Sequence, residues 1–566
     1  MKRVEPARSK HALVRHARVA VGLFAVVATA VLCGYLQAAP NVREVHVIQS
    51  QHVPPAVSEG SARFAGWPDA RQSLQLALSL PQRNEAELDQ FLQDLQDPRS
   101  PSYHQYLSVE EFTARFGPTQ EDYDQVVAWA RTNGLTVTET ASNRRLVNVA
   151  ASVDAVNRAF GVQISNYQHP SEDRVFFAPD REPTTFGLGV QLLHVSGLDN
   201  FTLPQTHLKP SSVPMPHAGG SGPSGQFLPS DMRAAYYGNG ALTGAGQSIG
   251  IFSFEGYNLS DVTLFYQLTG MTSSVPINNV LVNGFSGACN GCDDGEQVLD
   301  IVNSIGMAPG ITQILFYEGS SATAILNKMA TDNQAKVLSC SWYGADFNNV
   351  SDDPIYKQMA AQGQTFVNAS GDLGAYNNKT WGAPSADPWV LEVGGTDLTT
   401  NGAGGSWSSE TAWVDSGGGF YSGAGEATPS YQLLAGVLTS ANQGSTTYRN
   451  DPDVSAEANF DNPIVSRGKL STGWGGTSFS APRWAGFLAL VNQQAVSKRH
   501  GTVGFVNPAL YNVGLSASYA TSLHDITVGS NPSNGGKKAS FNAVAGFDLV
   551  TGWGSPQAGL INALAP

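Results

Sequence analysis

Hydrophobic and polar positions change their rhythm along this chain, and the change marks where one architecture gives way to another. Over residues 41–205 the patterns are short and mixed. Apolar spacing near one helical turn predicts helices over Glu85–Leu95 and Gln120–Asn133, the second with Val126, Val127 and Ala130 turned inward. Runs over Leu135–Thr140, Leu146–Ala150 and Val162–Tyr167 predict strands. Short strands and helices in this order read as a small α+β sandwich. From Thr206 the periodicity stops, and the segment KPSSVPMPHAGGSGPSG gathers prolines and glycines. It predicts an exposed linker over 206–225 that contains a processing site.

Beyond the linker the rhythm becomes regular. Strand-like runs Ser248–Phe254, Ile314–Tyr317, Val337–Trp342, Thr365–Ala369 and Val390–Val393 are separated by helical segments such as Ala322–Thr331 and Pro354–Gly363. This alternation predicts an α/β domain over 226–566 with a mostly parallel sheet covered on both faces. Its working site is expected at the carboxyl ends of the strands. A chain of 566 residues is long enough for two or more such domains.

The N-terminus reads as an address. Lys2, Arg3, Arg8, Lys10, Arg15 and Arg18 precede an apolar run from Val19 to Leu36, and Ala38 and Ala39 offer a cleavage point. This predicts a signal peptide over 1–39 and an exported product, secreted to the medium, the periplasm or an acidic compartment. An uncleaved anchor is the alternative, since the run approaches bilayer-spanning length. No later stretch reads as a membrane span, so no membrane partner is expected after signal cleavage. The net charge is −14, and from Gln226 onward 25 Asp and Glu stand against 13 Lys and Arg, giving −12. Nucleic acid is therefore not an expected partner, because binding phosphates needs clustered cations. Cys33 leaves with the signal. Cys289 and Cys292 are spaced to close a small disulfide loop in an oxidising compartment, and Cys340 sits in an apolar run as a buried thiol.

Chemistry enters at Gly475-Gly476-Thr477-Ser478-Phe479-Ser480-Ala481-Pro482, a glycine-rich turn leading into an apolar helix from about Phe479 to Ala495. Ser478 then stands at a helix N-terminus, where free N–H groups and the dipole favour the oxyanion of acyl transfer. Helix capping is the structural alternative for such a serine. The segment resembles the nucleophile segment of subtilisin-like proteases, which need a histidine base. After residue 226 only His500 and His524 exist. His500 lies at the far end of the same helix, roughly 30 Å away at ~1.5 Å per residue, and His524 sits beside Asp525 in a separate loop. Either the site is dead or its base is a carboxylate. Asp293–Val302 reads as a helix opening with acidic residues, with Glu296 and Asp300 on one face and Val298, Leu299, Val302 and Ile305 on the other. By itself such a pair is a solvated acidic face more often than a site.

Glu296 and Asp300 at this spacing, the G-T-S segment of Ser478, and Asp372 directly after a strand together resemble the sedolisin family of serine-carboxyl peptidases. The resemblance covers nearly the whole chain after the signal. It implies a subtilisin-like doubly wound catalytic domain, preceded over 40–205 by a ferredoxin-like α+β activation prodomain that folds against it and inhibits it. It implies Ser478 as nucleophile, Glu296 as general base and then acid, Asp300 as its orienting partner, and Asp372 as oxyanion donor. Ser339–Gly344 resembles the family's substrate-lining strand, and Glu255 and Trp342 are candidates to extend the acidic network. The family also binds one Ca²⁺ near its C-terminus, which places carboxylates of Asp525 and Asp548 and carbonyls of Ile526, Val544 and Gly546 around an ion. A carboxylate base suits acid, because an imidazole of pKa ~6.5 is already protonated at pH 3–5 whereas a glutamate of pKa ~4.3 still accepts a proton. The expected activity is an acid endopeptidase, made as an autoprocessed monomeric zymogen and acting on proteins or peptides. A tripeptidyl-peptidase of the same chemistry and a silent, calcium-stabilised surface protein are the alternatives.

Overall fold

Two periodicities build two layers of strands. The computed structural model describes residues 45–211, 219–344, 346–376, 384–421, 426–533 and 540–565. The signal read over 1–39 and the centre of the linker, 212–218, lie outside them. The N-terminal layer runs β1 (Ser73–Ser79), α1 (Glu85–Asp94), α2 (Val109–Phe116), α3 (Gln120–Thr132), β2 (Thr136–Thr140), β3 (Leu146–Ser152), α4 (Val153–Phe160) and β4 (His194–Ser196). Its strands pair antiparallel in the order β2-β3-β1-β4, the ferredoxin-like arrangement in which two βαβ halves interleave. Helices start where the sequence supplies caps: Ser108, Thr119 and Ser152 each accept a backbone N–H in the first turn of α2, α3 and α4. Leu74, Leu76 and Leu78 alternate inward on β1 to meet Val126, Val156 and Phe160 in one apolar core.

After the short strands β5 (Pro204–Thr206) and β6 (Lys209–Pro210) comes the larger layer. It contains β7 (Ser248–Ser253), β8 (Ile277–Leu281), α5 (Gly295–Met307), β9 (Gln313–Glu318), α6 (Ala322–Asp332), β10 (Val337–Cys340), β11 (Trp342–Gly344), α7 (Asn349–Ala361), β12 (Thr365–Ala369), β13 (Val390–Thr400), β14 (Trp407–Ala412), β15 (Val454–Glu457), β16 (Asn462–Ser466), β17 (Lys469–Gly475) and α8 (Thr477–Ser497). The main sheet has the order β8-β9-β7-β10-β12-β13-β14, with β15 also on β13. Every pairing is parallel except β13 with β14. Strand residues alternate between two cores: Ile249, Ile251, Val337 and Val367 face α5 and α8, while Phe252, Leu338, Phe366 and Val390 face α6 and α7. This is the doubly wound arrangement.

The two layers are continuous. Ala77 and Leu146 join the core under α6 and α7. Polar contacts across the boundary are mostly neutral: Asn143 Nδ2 donates to Asn327 Oδ1 (2.7 Å) and Gln358 Oε1 (2.8 Å), Leu107 N to Ala361 O (2.9 Å), and Tyr106 Oη to Val503 O (2.8 Å). Cys289 and Cys292 are joined by a disulfide, and Cys340 is a buried free thiol.

Candidate active site

Helix α8 begins after Gly476, whose backbone (φ 143°, ψ 151°) is a conformation only glycine adopts easily. Ser478 is the second helical residue and not the cap. A Cβ on Gly476 would fall 2.0 Å from His207 O and 2.7 Å from Asp372 Oδ2, so a glycine here lets both oxygens approach the start of the helix. Ser478 is fully buried, and its N–H donates to His207 O at 3.3 Å.

Glu296 and Asp300 occupy the first and second turns of α5. The amphipathic helix expected from the sequence is not what forms, because every residue of α5 is buried. Helix α8, strand β16 and the helix Pro229–Tyr236 enclose it on the sides away from the sheet. The two acids therefore sit in a dry interior. Burial, and then the charge of Asp300, push the Glu296 carboxyl well above the usual range, and burial does the same to Asp300. Asp300 Oδ1 accepts a hydrogen bond from Ser341 Oγ at 2.7 Å, which fixes the carboxylate from the strand side. Neither Glu296 oxygen nor Ser478 Oγ makes a hydrogen bond of ordinary length and angle. The hydroxyls of Ser478 and Thr206 nevertheless lie near enough to favour the Glu296 anion.

Asp372 follows β12 and reaches the same corner. Its Oδ1 accepts from Thr477 N (2.8 Å) and Thr477 Oγ1 (2.9 Å), and Gly371 N donates to that hydroxyl at 2.9 Å. Oδ2 has no hydrogen-bond partner and lies on the Gly476 side. Burial raises the Asp372 carboxyl to about 7. His524 stands elsewhere, stacked on Trp407 at 4.0 Å, and the ring of His207, whose backbone borders Ser478, stacks on Tyr343 at 4.3 Å. Glu255 is exposed at the rim of a cleft of about 400 Å³ that also borders Glu296, Trp342 and Trp474.

The start of the stretch read as a free linker is docked in that cleft. β5 pairs antiparallel with β11, Thr206 opposite Trp342, and His207 N donates to Ser341 O at 3.2 Å. On the other side of Ser478, β6 pairs antiparallel with β17, Lys209 opposite Gly475. Extended chain with proline-interrupted strands finds edges to pair with only at this cleft, so composition alone conceals the pairing.

Residues 61–201 match the Pro-kumamolisin activation domain and residues 286–512 match the Subtilase family. Xanthomonalisin of Xanthomonas sp. (strain T-22) is 29% identical over 88% of this chain, which spans 66% of that protein's length. Sedolisin of Pseudomonas sp. (strain 101) is 30% identical over 86% of this chain and 86% of its own. The chain belongs to the sedolisin family. Kumamolisin of Bacillus sp. (strain MN-32) is 29% identical over 81% of this chain and 85% of its own. Membership makes the chain a serine-type peptidase with an activation domain.

The calcium expectation rests on the same membership. Asp525 accepts from Gly546 N at 3.1 and 3.2 Å, and Asp548 Oδ2 accepts from Val544 N at 3.0 Å, so the segments around Asp525 and Asp548 meet. Asp548 is buried, with its carboxyl raised to about 7 by that burial. Ile526 is buried beside them. Two carboxylates and neighbouring carbonyls form an oxygen-only donor set, which fits a hard divalent cation. Two contributors in this sedolisin were not singled out from the sequence: Ser341, which holds Asp300, and Thr477, which holds Asp372. Both stood inside segments already noted, yet their partners are distant in the chain.

Proposed function

We propose that this sedolisin is an exported, acid-active endopeptidase, made as a zymogen that its own prodomain blocks. The observation that carries the reading is a buried corner in which a serine hydroxyl meets a carboxylate pair. Glu296 takes the Ser478 proton as Oγ attacks the peptide carbonyl carbon. Ser478 N–H and a protonated Asp372 Oδ2 donate to the oxyanion. Glu296 then returns the proton to the leaving nitrogen, and water releases the acyl group from Ser478 by the reverse sequence. Asp300, anchored by Ser341, holds the pair's shared proton, so the two carboxyls titrate together.

Acidity follows from the two demands. Asp372 must be neutral to donate, which favours pH below about 7; the glutamate–aspartate pair must keep one negative charge, which sets an acid limit. The endopeptidase mode is supported by the course of the prodomain chain. It lies along the cleft on both sides of Ser478, and Thr202 and Leu203 still crowd Gly344, five and four residues before His207. A cleft closed after three residues would not admit it. We further assign one calcium ion to Asp525, Asp548 and the carbonyls of Ile526, Val544 and Gly546, where it would tie two C-terminal loops together.

A pH–activity profile on acid-denatured protein tests the reading. The parent should show an acid maximum, and Ser478→Ala and Glu296→Gln should each lose about 10³-fold or more. A Glu296→Gln enzyme that retains the parent's activity removes the carboxylate base.

A further inference from the structure

The cleft presents one peptide bond of its own chain in a defined frame. His207 O is the carbonyl bonded to the N–H of the nucleophile itself, at 3.3 Å. The hypothetical Gly476 Cβ meets that oxygen and Asp372 Oδ2 together, so the His207 carbonyl and the free oxygen of Asp372 face one small space. The frame is fixed from both sides. Before the bond, Pro204, Gln205 and Thr206 lie opposite Gly344, Tyr343 and Trp342, and His207 N reaches Ser341 O at 3.2 Å. After it, Lys209 and Pro210 lie opposite Gly475 and Trp474.

Lys209 adds a side-chain lock. Its Nζ lies 2.6 Å from Asp415 Oδ2 and donates to Asp372 O at 2.9 Å. It also stands over the rings of Trp413 (5.1 Å) and Phe460 (5.6 Å). An ammonium held by a carboxylate, a carbonyl and two ring faces has one good position. Sliding the chain by one residue would turn Lys209 to the opposite face of its strand and out of this pocket.

We propose that the zymogen makes its first cut between His207 and Leu208, and that Lys209, seated against Asp415, sets that frame. The proposal rests on the peptidase reading above and deepens it. Ser478 Oγ bonds to the His207 carbonyl carbon and its proton passes to Glu296. The His207–Leu208 C–N bond breaks as Glu296 gives that proton to the Leu208 nitrogen. Water then hydrolyses the ester, leaving a His207 carboxyl group and a free Leu208 amine. Because the bond already lies in its own active site, the cut is intramolecular. By the same pocket, the mature enzyme favours substrates with Lys or Arg two residues after the scissile bond.

The full-length chain, purified near neutral pH and shifted to pH 4, is sampled over the first minutes by intact mass. The expected first products end at His207 and begin at Leu208, at a rate independent of protein concentration, and Ser478→Ala stays whole. Lys209→Gln and Asp415→Asn should each slow this cut about tenfold or move it, the double variant being no worse than either alone, while Lys209→Arg restores the parent's rate and site. A Ser478-dependent first cut at another bond, or a rate proportional to concentration, overturns the assignment and leaves the peptidase reading intact. Cutting of Lys209→Gln at the same bond and the parent's rate overturns the frame-setting role. Absence of any Ser478-dependent cut, together with no hydrolysis of an added unstructured peptide, sinks the peptidase reading itself.

Discussion

At the scale of single residues, Asp372 shows how one carboxyl is divided between two tasks. Oδ1 is held by the amide and hydroxyl of Thr477, and Oδ2, without a hydrogen-bond partner, is left for the oxyanion role proposed for it. An asparagine keeps both functions, accepting on one side and donating on the other, but donates at every pH. Asp372→Asn should therefore lose the alkaline fall in kcat/KM that the parent shows as pH rises through about 7, so that its activity ratio between pH 8 and pH 5 exceeds the parent's. A profile with the same alkaline limb as the parent would assign that limb to another group. The residues that meet in this corner were legible in the chain. Ser478 lies in a glycine-rich turn, Glu296 and Asp300 are one helical turn apart, Asp372 ends a strand, and the missing histidine forced a carboxylate base. Ser341 and Thr477 were not legible as partners, because a contact between residue 300 and residue 341 depends on how a helix and a strand are brought together.

At the scale of elements, the strongest departure from the sequence reading is α5. Its acidic residues resemble a wet helix face, and the covering by α8, β16 and the helix Pro229–Tyr236 is what buries it. Five strands of the main sheet were readable from their apolar runs, although β13 continues to Thr400, beyond the run read at Val390–Val393; β8, β14 and β15 were not read, and neither were β5 and β6, since two- and three-residue strands carry no period. The prodomain holds its own titratable element. His52 and His194 stack at 4.4 Å, Val195 N donates to His52 Nε2 at 3.2 Å, and His194 Nδ1 pairs with Ser50 Oγ at 2.8 Å. Burial pushes the His194 imidazole well below its usual value. Such a group stabilises the fold fully above the unfolded pKa of ~6.5 and loses that contribution as pH falls below it. His194→Gln, which keeps a polar partner for Ser50 without titrating, should slow release of the prodomain at pH 4 to 5, measured by the lag before activity appears. An unchanged lag removes His194 from the acid response. The loops proposed to hold calcium belong to this scale too. Chelation should lower the thermal midpoint of the mature enzyme by about 5–10 °C, as loss of a well-occupied site does, and Asp548→Ala should have a low midpoint that added calcium does not raise.

For the whole molecule, buried carboxyls and buried imidazoles respond to acid with opposite sign. In the catalytic layer, burial raises Asp352, Asp372, Asp451 and Asp461 each to about 7. Against an unfolded value of ~3.9, the folded state binds the extra protons between pH 4 and 7. Its stability is therefore highest near pH 4 and falls as pH rises through 7. In the prodomain the buried His194 pulls the other way, against Asp199, whose carboxyl burial raises to about 6. Calorimetry of the mature enzyme should find a higher midpoint at pH 4.5 than at pH 8, and the isolated catalytic layer would contradict this account if its midpoint rose steadily toward alkali.

The enclosure of α5 has one more consequence. Among the described residues the cleft borders Glu296, so a peptide bound there covers the approach of protons from that side. The protonation chosen before a peptide enters is then carried through the chemical step, so an abrupt alkaline jump imposed after binding should leave the turnover in progress unaltered and silence only the next.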